Sequence, residues 1–175
     1  MRRWTVGALA AVAVITTAAV LVAVLTQSAG AGPFAWPKRA GESWFQFRPV
    51  KPRQVVAINI PLEPVDKPAV LLAVRPLHAA EADGLTFLYA VTTQVGIVGG
   101  TATGWHPKAW RLRPLRGFVV PANSRAGIMV GTSATKRGHW FVHAFVVDYE
   151  VGGTHYSAPQ YFGLEVCVAQ RCPTS

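Results

Sequence analysis

The sequence predicts an all-β fold, an immunoglobulin-like β-sandwich of seven to eight strands that is preceded by one N-terminal transmembrane helix. An uncharged apolar run at residues 4–25 predicts the helix. After it, short β-branched and aromatic runs alternate with Gly and Pro at the 8–12-residue spacing typical of sandwiches, and no convincing amphipathic helix follows. We therefore divide the chain into a transmembrane helix or signal anchor (1–25), a flexible linker (26–43) and a β-sandwich domain (44–175).

The apolar run at residues 4–25 is long enough to cross a bilayer. As a helix its 22 residues span about 33 Å, against about 30 Å for a hydrocarbon core. Residues 28–31 would suit a signal peptidase, but the apolar core of a cleaved signal peptide is usually only about 7–15 residues long. We expect a retained single-pass anchor, and a secreted domain after cleavage is the alternative.

The orientation of the anchor depends on the charges beside it. Arg2 and Arg3 precede the run, whereas Lys38 and Arg39 follow it, so the two counts are equal. Because the arginines directly adjoin the run, we expect the N-terminus inside the cell and the domain on the extracytoplasmic side of the cell membrane.

Residues 26–37 are small, Gly-rich and punctuated by Pro, which favours a linker with an end-to-end distance of about 20 Å. Phe34 and Trp36 in this stretch have two interpretations. They are aromatic anchors at the lipid headgroups, or they pack beneath the first strand of the domain.

The runs predicted to be strands are residues 55–60, 69–74, 85–94, 118–120, 127–130, 140–151, 154–157 and 162–168. Gly152 and Gly153 predict a two-residue hairpin turn, because both supply a positive φ without strain. The run at 140–151 is apolar on both faces, which indicates a strand in the middle of a sheet with its outer face covered. A small β-barrel is the alternative fold.

Cys167 and Cys172 are the only two cysteines, and we expect them to form a disulfide in an exported domain. His139 and His143 lie four residues apart, which on a strand separates them by about 13 Å, too far to bind one metal ion. We therefore expect no metal and no cofactor.

An alternative function is an exported enzyme or metal-binding protein that uses His106 and Cys167 or Cys172. His106, Cys167 and Arg171 resemble the His, Cys and Arg of sortase-type transpeptidases. The chain lacks the Thr-Leu-x-Thr-Cys pattern of that family, and Arg171 follows the cysteine too closely. We identify no catalytic residue.

The chain is strongly basic, with 17 Lys and Arg against eight Asp and Glu, and no acid occurs between Asp83 and Asp148. Within this interval, residues 105–116 interleave cations with tryptophans, a composition that suits an anionic surface. The candidate binding residues are Trp105, Lys108, Trp110, Arg111, Arg113 and Arg116. We expect an anionic lipid or an acidic envelope polymer as partner, with another membrane protein as a further possibility, and no nucleic acid. The alternative is a connecting segment whose tryptophans pack on the domain while its cations stay solvated.

The ending of the chain runs Val147-Asp148-Tyr149-Glu150-Val151-Gly152-Gly153, then Tyr156 and finally Val166-Cys167. Together with the single apolar run, this layout resembles small single-pass envelope proteins of high-GC Gram-positive bacteria. The resemblance implies a non-catalytic binding or accessory module at the cell envelope and carries no particular activity.

Overall fold

The computed structural model describes residues 32–34, 43–94, 102–169 and 172. The predicted transmembrane helix and most of the predicted linker lie outside these residues. Within them the one helical element is a 3-10 turn at Ala79–Ala82. No helix in this part of the chain is long and apolar enough to cross a membrane.

The described residues form twelve strands in three sheets. The strands are β1 (Ser43–Phe47), β2 (Val56–Leu62), β3 (Ala69–Pro76), β4 (Leu85–Thr92), β5 (Ala102–Thr103), β6 (Arg113–Pro114), β7 (Val119–Val120), β8 (Ala126–Ala134), β9 (Gly138–Val142), β10 (Phe145–Val151), β11 (Thr154–Gln160) and β12 (Phe162–Val168). The sheets have the orders β1-β12-β9, β11-β10-β3-β7 and β5-β2-β8-β4-β6. The prediction of an all-β domain is therefore confirmed.

One hydrophobic core joins the three sheets. Fully buried side chains come from each of them, among them Ile128 of β8, Val147 of β10 and Leu164 of β12. Phe87 of β4 lies 5.8 Å from Phe145 of β10, edge to face, so the five-stranded and four-stranded sheets pack against each other. The sheets thus form a β-sandwich around a shared interior.

The predicted hairpin is confirmed. Val151 of β10 pairs with Thr154 of β11, so Gly152 and Gly153 are the whole turn. Their φ angles are +59° and +80°, the left-handed values that a turn of this kind requires at both positions.

The single long strand predicted at residues 140–151 is wrong, because the chain forms two strands there that belong to different sheets. The core-facing side chains of β9 are Trp140 and Val142, whereas those of β10 begin at Phe145 and Val147. This shift from even to odd positions cannot occur within one regular strand, since successive side chains alternate between faces. The chain therefore breaks at His143, and a new alternation begins in β10. Strand β10 has a neighbour on each side in its sheet, whereas β9 is an edge strand.

The N-terminal strand β1 is absent from the predicted set. It pairs with β12 in parallel, from Ser43 with Phe162 to Phe47 with Val166, and thus begins one residue before the predicted domain. Together with the two-residue strands β5 and β6 and the division of the predicted 140–151 strand into β9 and β10, β1 raises the number of strands in the described residues above the predicted seven to eight.

Residues 32–34, which belong to the predicted linker, contact the sandwich. Phe34 is completely buried, and its ring lies 4.6 Å from that of Tyr149. Its N–H donates to the Tyr149 Oη at 2.9 Å, and the Gln160 Nε2 donates to its carbonyl at 2.8 Å. Phe34 therefore packs with the domain, as in the second of the two interpretations, although these contacts are with β10 and β11 and not with the first strand. Trp36 lies outside the described residues.

Candidate functional site

The predicted basic segment crosses one face of the five-stranded sheet. At its start the Gly104 N–H donates to the Val55 carbonyl at 2.7 Å, beside β2. At its end Arg113 of β6 pairs with Val91 of β4. Since β5 and β6 lie at opposite edges of this sheet, residues 104–112 run from one edge to the other, and we call them the strap.

The two tryptophans hold the strap against the sheet. The ring of Trp105 lies directly over Gly131 of the central strand β8, where a Cβ atom would come within 2.6 Å of the indole. Trp110 contacts Trp105 edge-on at 6.2 Å, and its carbonyl accepts a hydrogen bond from the Thr92 Oγ1 at 2.9 Å. Both indoles are half-buried, so they act mainly as packing groups.

Turn-like hydrogen bonds shape the middle of the strap. The Trp110 N–H donates to the His106 carbonyl at 3.0 Å, and the Leu112 N–H donates to the Pro107 carbonyl at 2.8 Å. Arg111 adopts a left-handed φ of +50° at the end of this turn. The turn presents Lys108 and Arg111 to solvent.

The other two cations of the candidate site follow the strap in the chain. Arg113 and Arg116 are exposed on either side of Leu115, which is buried. The four cations of the candidate site, Lys108, Arg111, Arg113 and Arg116, are therefore all exposed.

None of these four cations forms an ion pair within the described part of the chain. In contrast, Arg48 contacts Glu165, and Arg75 lies 3.4 Å from Asp148. Uncompensated cations on one surface attract anions over about a Debye length, roughly 8–10 Å at physiological salt. The two tryptophans thus pack on the sheet while the four cations stay exposed, an arrangement that the alternative of a connecting segment also predicts.

The predicted disulfide between Cys167 and Cys172 is confirmed, with a Cα–Cα distance of 6.0 Å. His106 is exposed, and its ring packs edge-on against Trp110 at 5.2 Å. Arg171 lies outside the described residues. His139 and His143 contact different carboxylates, those of Glu165 and Glu81, and the described residues contain no cluster of three or more His, Cys, Asp or Glu side chains suited to a metal ion.

A charged cluster that was not predicted from the sequence lies on the outer face of the three-stranded sheet. Glu165 of β12 is only 2% exposed and contacts the Arg48 guanidinium. The His139 Nε2 lies 2.5 Å from its Oε1. Burial by itself raises the pKa of Glu165, but hydrogen bonds and the charges of Arg48 and His139 outweigh it and lower the pKa below its usual value. We call Arg48, Glu165 and His139 the Glu165 cluster.

Exposed aromatic side chains lie beside this cluster. The indole of Trp44 covers Gly163, and its ring centre lies 6.4 Å from that of Phe141 and 5.3 Å from that of His143. Trp44 and Phe141 are 37% and 42% exposed. One signal in the sequence could have indicated the cluster: Glu165 is the only charge in an otherwise apolar final strand, and a buried charge requires a partner.

No protein-family model matches this sequence, and no curated protein matches it either. Among solved structures, the chain is similar to the ASH/PapD-like domain 7 of human CEP192, with 11% identity and a TM-score of 0.43 over 80% of this chain and 93% of that one. It is also similar to the Vibrio cholerae VesB protease, with 7% identity and a TM-score of 0.40. That overlap covers 72% of this chain but only 30% of the protease. At these scores neither structure indicates what the chain does.

Proposed function

We propose that this chain is a non-catalytic binding module of the cell envelope. In this proposal the run at residues 4–25 is a single transmembrane helix, and an immunoglobulin-like sandwich on the extracytoplasmic side binds an anionic surface. The binding groups are Lys108, Arg111, Arg113 and Arg116.

The observation that carries the proposal is the strap. Its tryptophans pack on the sheet, so its backbone is held in place, and the cations of the strap and of the following turn remain exposed without carboxylate partners in the described residues. A fixed set of cations binds a charged surface with a smaller loss of conformational entropy than cations on a flexible tail.

Two further features support the proposed location of the domain, on the extracytoplasmic side and close to the membrane. A disulfide between Cys167 and Cys172 is typical of proteins in oxidising compartments. The packing of Phe34 against the domain leaves only residues 26–33 between it and the end of the apolar run, which reach about 30 Å even when fully extended. A domain tethered in this way stays close to the lipid headgroups, so anionic lipid is the partner that we test first.

The test is sedimentation with vesicles that contain about 30% anionic phospholipid. The test uses a chain that begins at Gly32, which keeps every core residue that the structure describes, from Phe34 to Val168. We expect binding that falls with added salt. Replacing all four cations of the candidate site by Gln weakens binding at least tenfold, since each cation near such a surface contributes about 1 kcal/mol.

A matched control removes the same charge elsewhere, with Gln in place of four other exposed cations: Arg53, Lys67, Arg125 and Lys136. If this control weakens binding as much as the first variant, net charge alone is responsible and the proposed site is wrong. Binding that is insensitive to salt and unchanged in the first variant would contradict the whole proposal.

A further inference from the structure

A cleft of about 360 Å³ lies at the end of β12, next to the disulfide. It opens between the loop that follows β1 and the turn between β8 and β9. Its lining includes Val50, Lys51, Pro52, Gln54, Arg137 and Val168. This volume is within the range of pockets that hold small organic ligands.

The base of the cleft is apolar and fixed. Val50 and Val168 are buried side chains that belong to the core. The Val50 N–H donates to the Cys167 carbonyl at 3.0 Å, which ties the loop to the end of β12. The Lys51 N–H donates to the Gln54 Oε1 at 2.9 Å, so the loop is also closed on itself.

The rim of the cleft is basic. Lys51 and Arg137 are exposed, and neither forms an ion pair with any other described residue. Among the described residues that line the cleft, none carries a carboxylate. The cleft therefore combines an apolar base with cations at its mouth.

We infer that this cleft binds a small amphipathic anion, namely a short apolar body that carries one phosphate or carboxylate group. The apolar body would cover Val50, Pro52 and Val168. The anionic group would lie between Lys51 and Arg137, where a guanidinium can donate two hydrogen bonds to one phosphate or carboxylate. This inference does not depend on the proposed function of the strap, because the two sites share no residue.

The test follows backbone amide chemical shifts of the full chain, held in nanodiscs of phosphatidylcholine, during titration with hexyl phosphate. We expect saturable shifts at Val50, Lys51 and Gln54. Inorganic phosphate, which lacks the apolar body, should bind at least tenfold more weakly, because it leaves the base of the cleft uncovered.

A second arm adds phosphatidic acid to the nanodiscs without hexyl phosphate. Shifts at the same amides in that arm identify a lipid headgroup as the source of the anion, and their absence identifies a soluble one.

A pair of matched variants separates the cleft from general charge. Replacing Lys51 and Arg137 by Gln should weaken hexyl phosphate binding at least tenfold, whereas the same change at the exposed Lys67 and Arg125 should leave it within about twofold. Three results would each overturn the inference: no saturable shift in either arm, inorganic phosphate binding as tightly as hexyl phosphate, or equal losses in the two variants.

Discussion

At the scale of single residues, Glu165 places a charge in a strand whose seven residues are all buried. Moving an unpaired carboxylate out of water costs several kcal/mol, so the side chain is stable there only with charged or hydrogen-bonding partners. Arg48 and His139 supply them from two other parts of the chain, the residue after β1 and the edge strand β9. The partners could not be read from the sequence, since the pairing of β12 with both β1 and β9 had to be known first.

Replacing Glu165 by Gln tests this cluster through its pH dependence. The pKa of Glu165 is lowered in the folded protein below its ordinary value of 4.5, so its stabilising contribution is complete above that pH and is lost as the pH falls through the folded-state pKa. At pH 7 we expect the variant to unfold with about 2 kcal/mol less free energy than the wild type, because a charged hydrogen bond is lost. Urea unfolding at several pH values measures this difference.

The difference should shrink as the pH falls below 4.5 and through the lower folded-state pKa of Glu165, since the wild-type carboxyl then becomes protonated and loses its ion pairs. Glu63→Gln is the control, because Glu63 is exposed and forms no ion pair within the described residues. It should change the stability by less than about 0.5 kcal/mol at every pH. A Glu165→Gln difference that stays constant with pH would show that the carboxylate charge contributes nothing.

At the scale of elements, local patterns predicted what depends on neighbouring residues. Gly152 and Gly153 indicated the hairpin, because a two-residue turn with both φ angles positive is determined by the two residues that form it. The break between β9 and β10 could not be predicted in this way. Residues 140–147 are apolar at every position except His143, so we interpreted the run as one strand that is apolar on both faces. Only the structure shows that Val142 and Phe145, three positions apart, both face the core.

Long-range pairing could not be obtained in this way. The parallel pairing of β1 with β12 joins strands at opposite ends of the domain. The burial pattern of Ser43–Phe47 does not indicate which strand β1 pairs with. The strap posed the same problem. Its composition indicated a basic segment with tryptophans, but the packing of Trp105 on Gly131 depends on the order of strands in the five-stranded sheet.

Phe34→Ala tests whether residues 32–34 are an integral part of the sandwich. The ring is fully buried against Tyr149, so its removal leaves a cavity and should lower the free energy of unfolding by about 3 kcal/mol. Chemical denaturation of the chain beginning at Gly32 measures the change. Phe141→Ala is the control, since Phe141 is 42% exposed, and it should cost less than about 1 kcal/mol. Equal effects of the two substitutions would mean that Phe34 is only a surface contact.

At the scale of the whole molecule, the cations and acids of the domain are distributed unequally. Among the described residues, four acids form ion pairs, with partners that include Arg75, His143 and His155. The Lys and Arg residues between Asp83 and Asp148 have no acid near them in sequence and form no ion pair within the described residues. A charge pattern of this kind affects which surfaces the protein approaches and has little influence on its fold.

The proposed attachment of this basic domain to a membrane depends on residues 4–25, and it can be tested on the full chain. We expect the chain to remain in the membrane fraction during alkaline carbonate extraction and to keep its N-terminus by intact mass. Val14→Arg with Ala18→Arg should release it, because each arginine near the centre of a transmembrane helix costs about 2.5–3.5 kcal/mol. The control, Val14→Leu with Ala18→Leu, should stay in the membrane.

If the domain is extracytoplasmic, maleimide labels Cys167 and Cys172 only after reduction. A wild-type chain that is soluble and begins after residue 29 or 31 would identify a cleaved signal peptide instead. Cysteines labelled without reduction would place the domain on the reducing side.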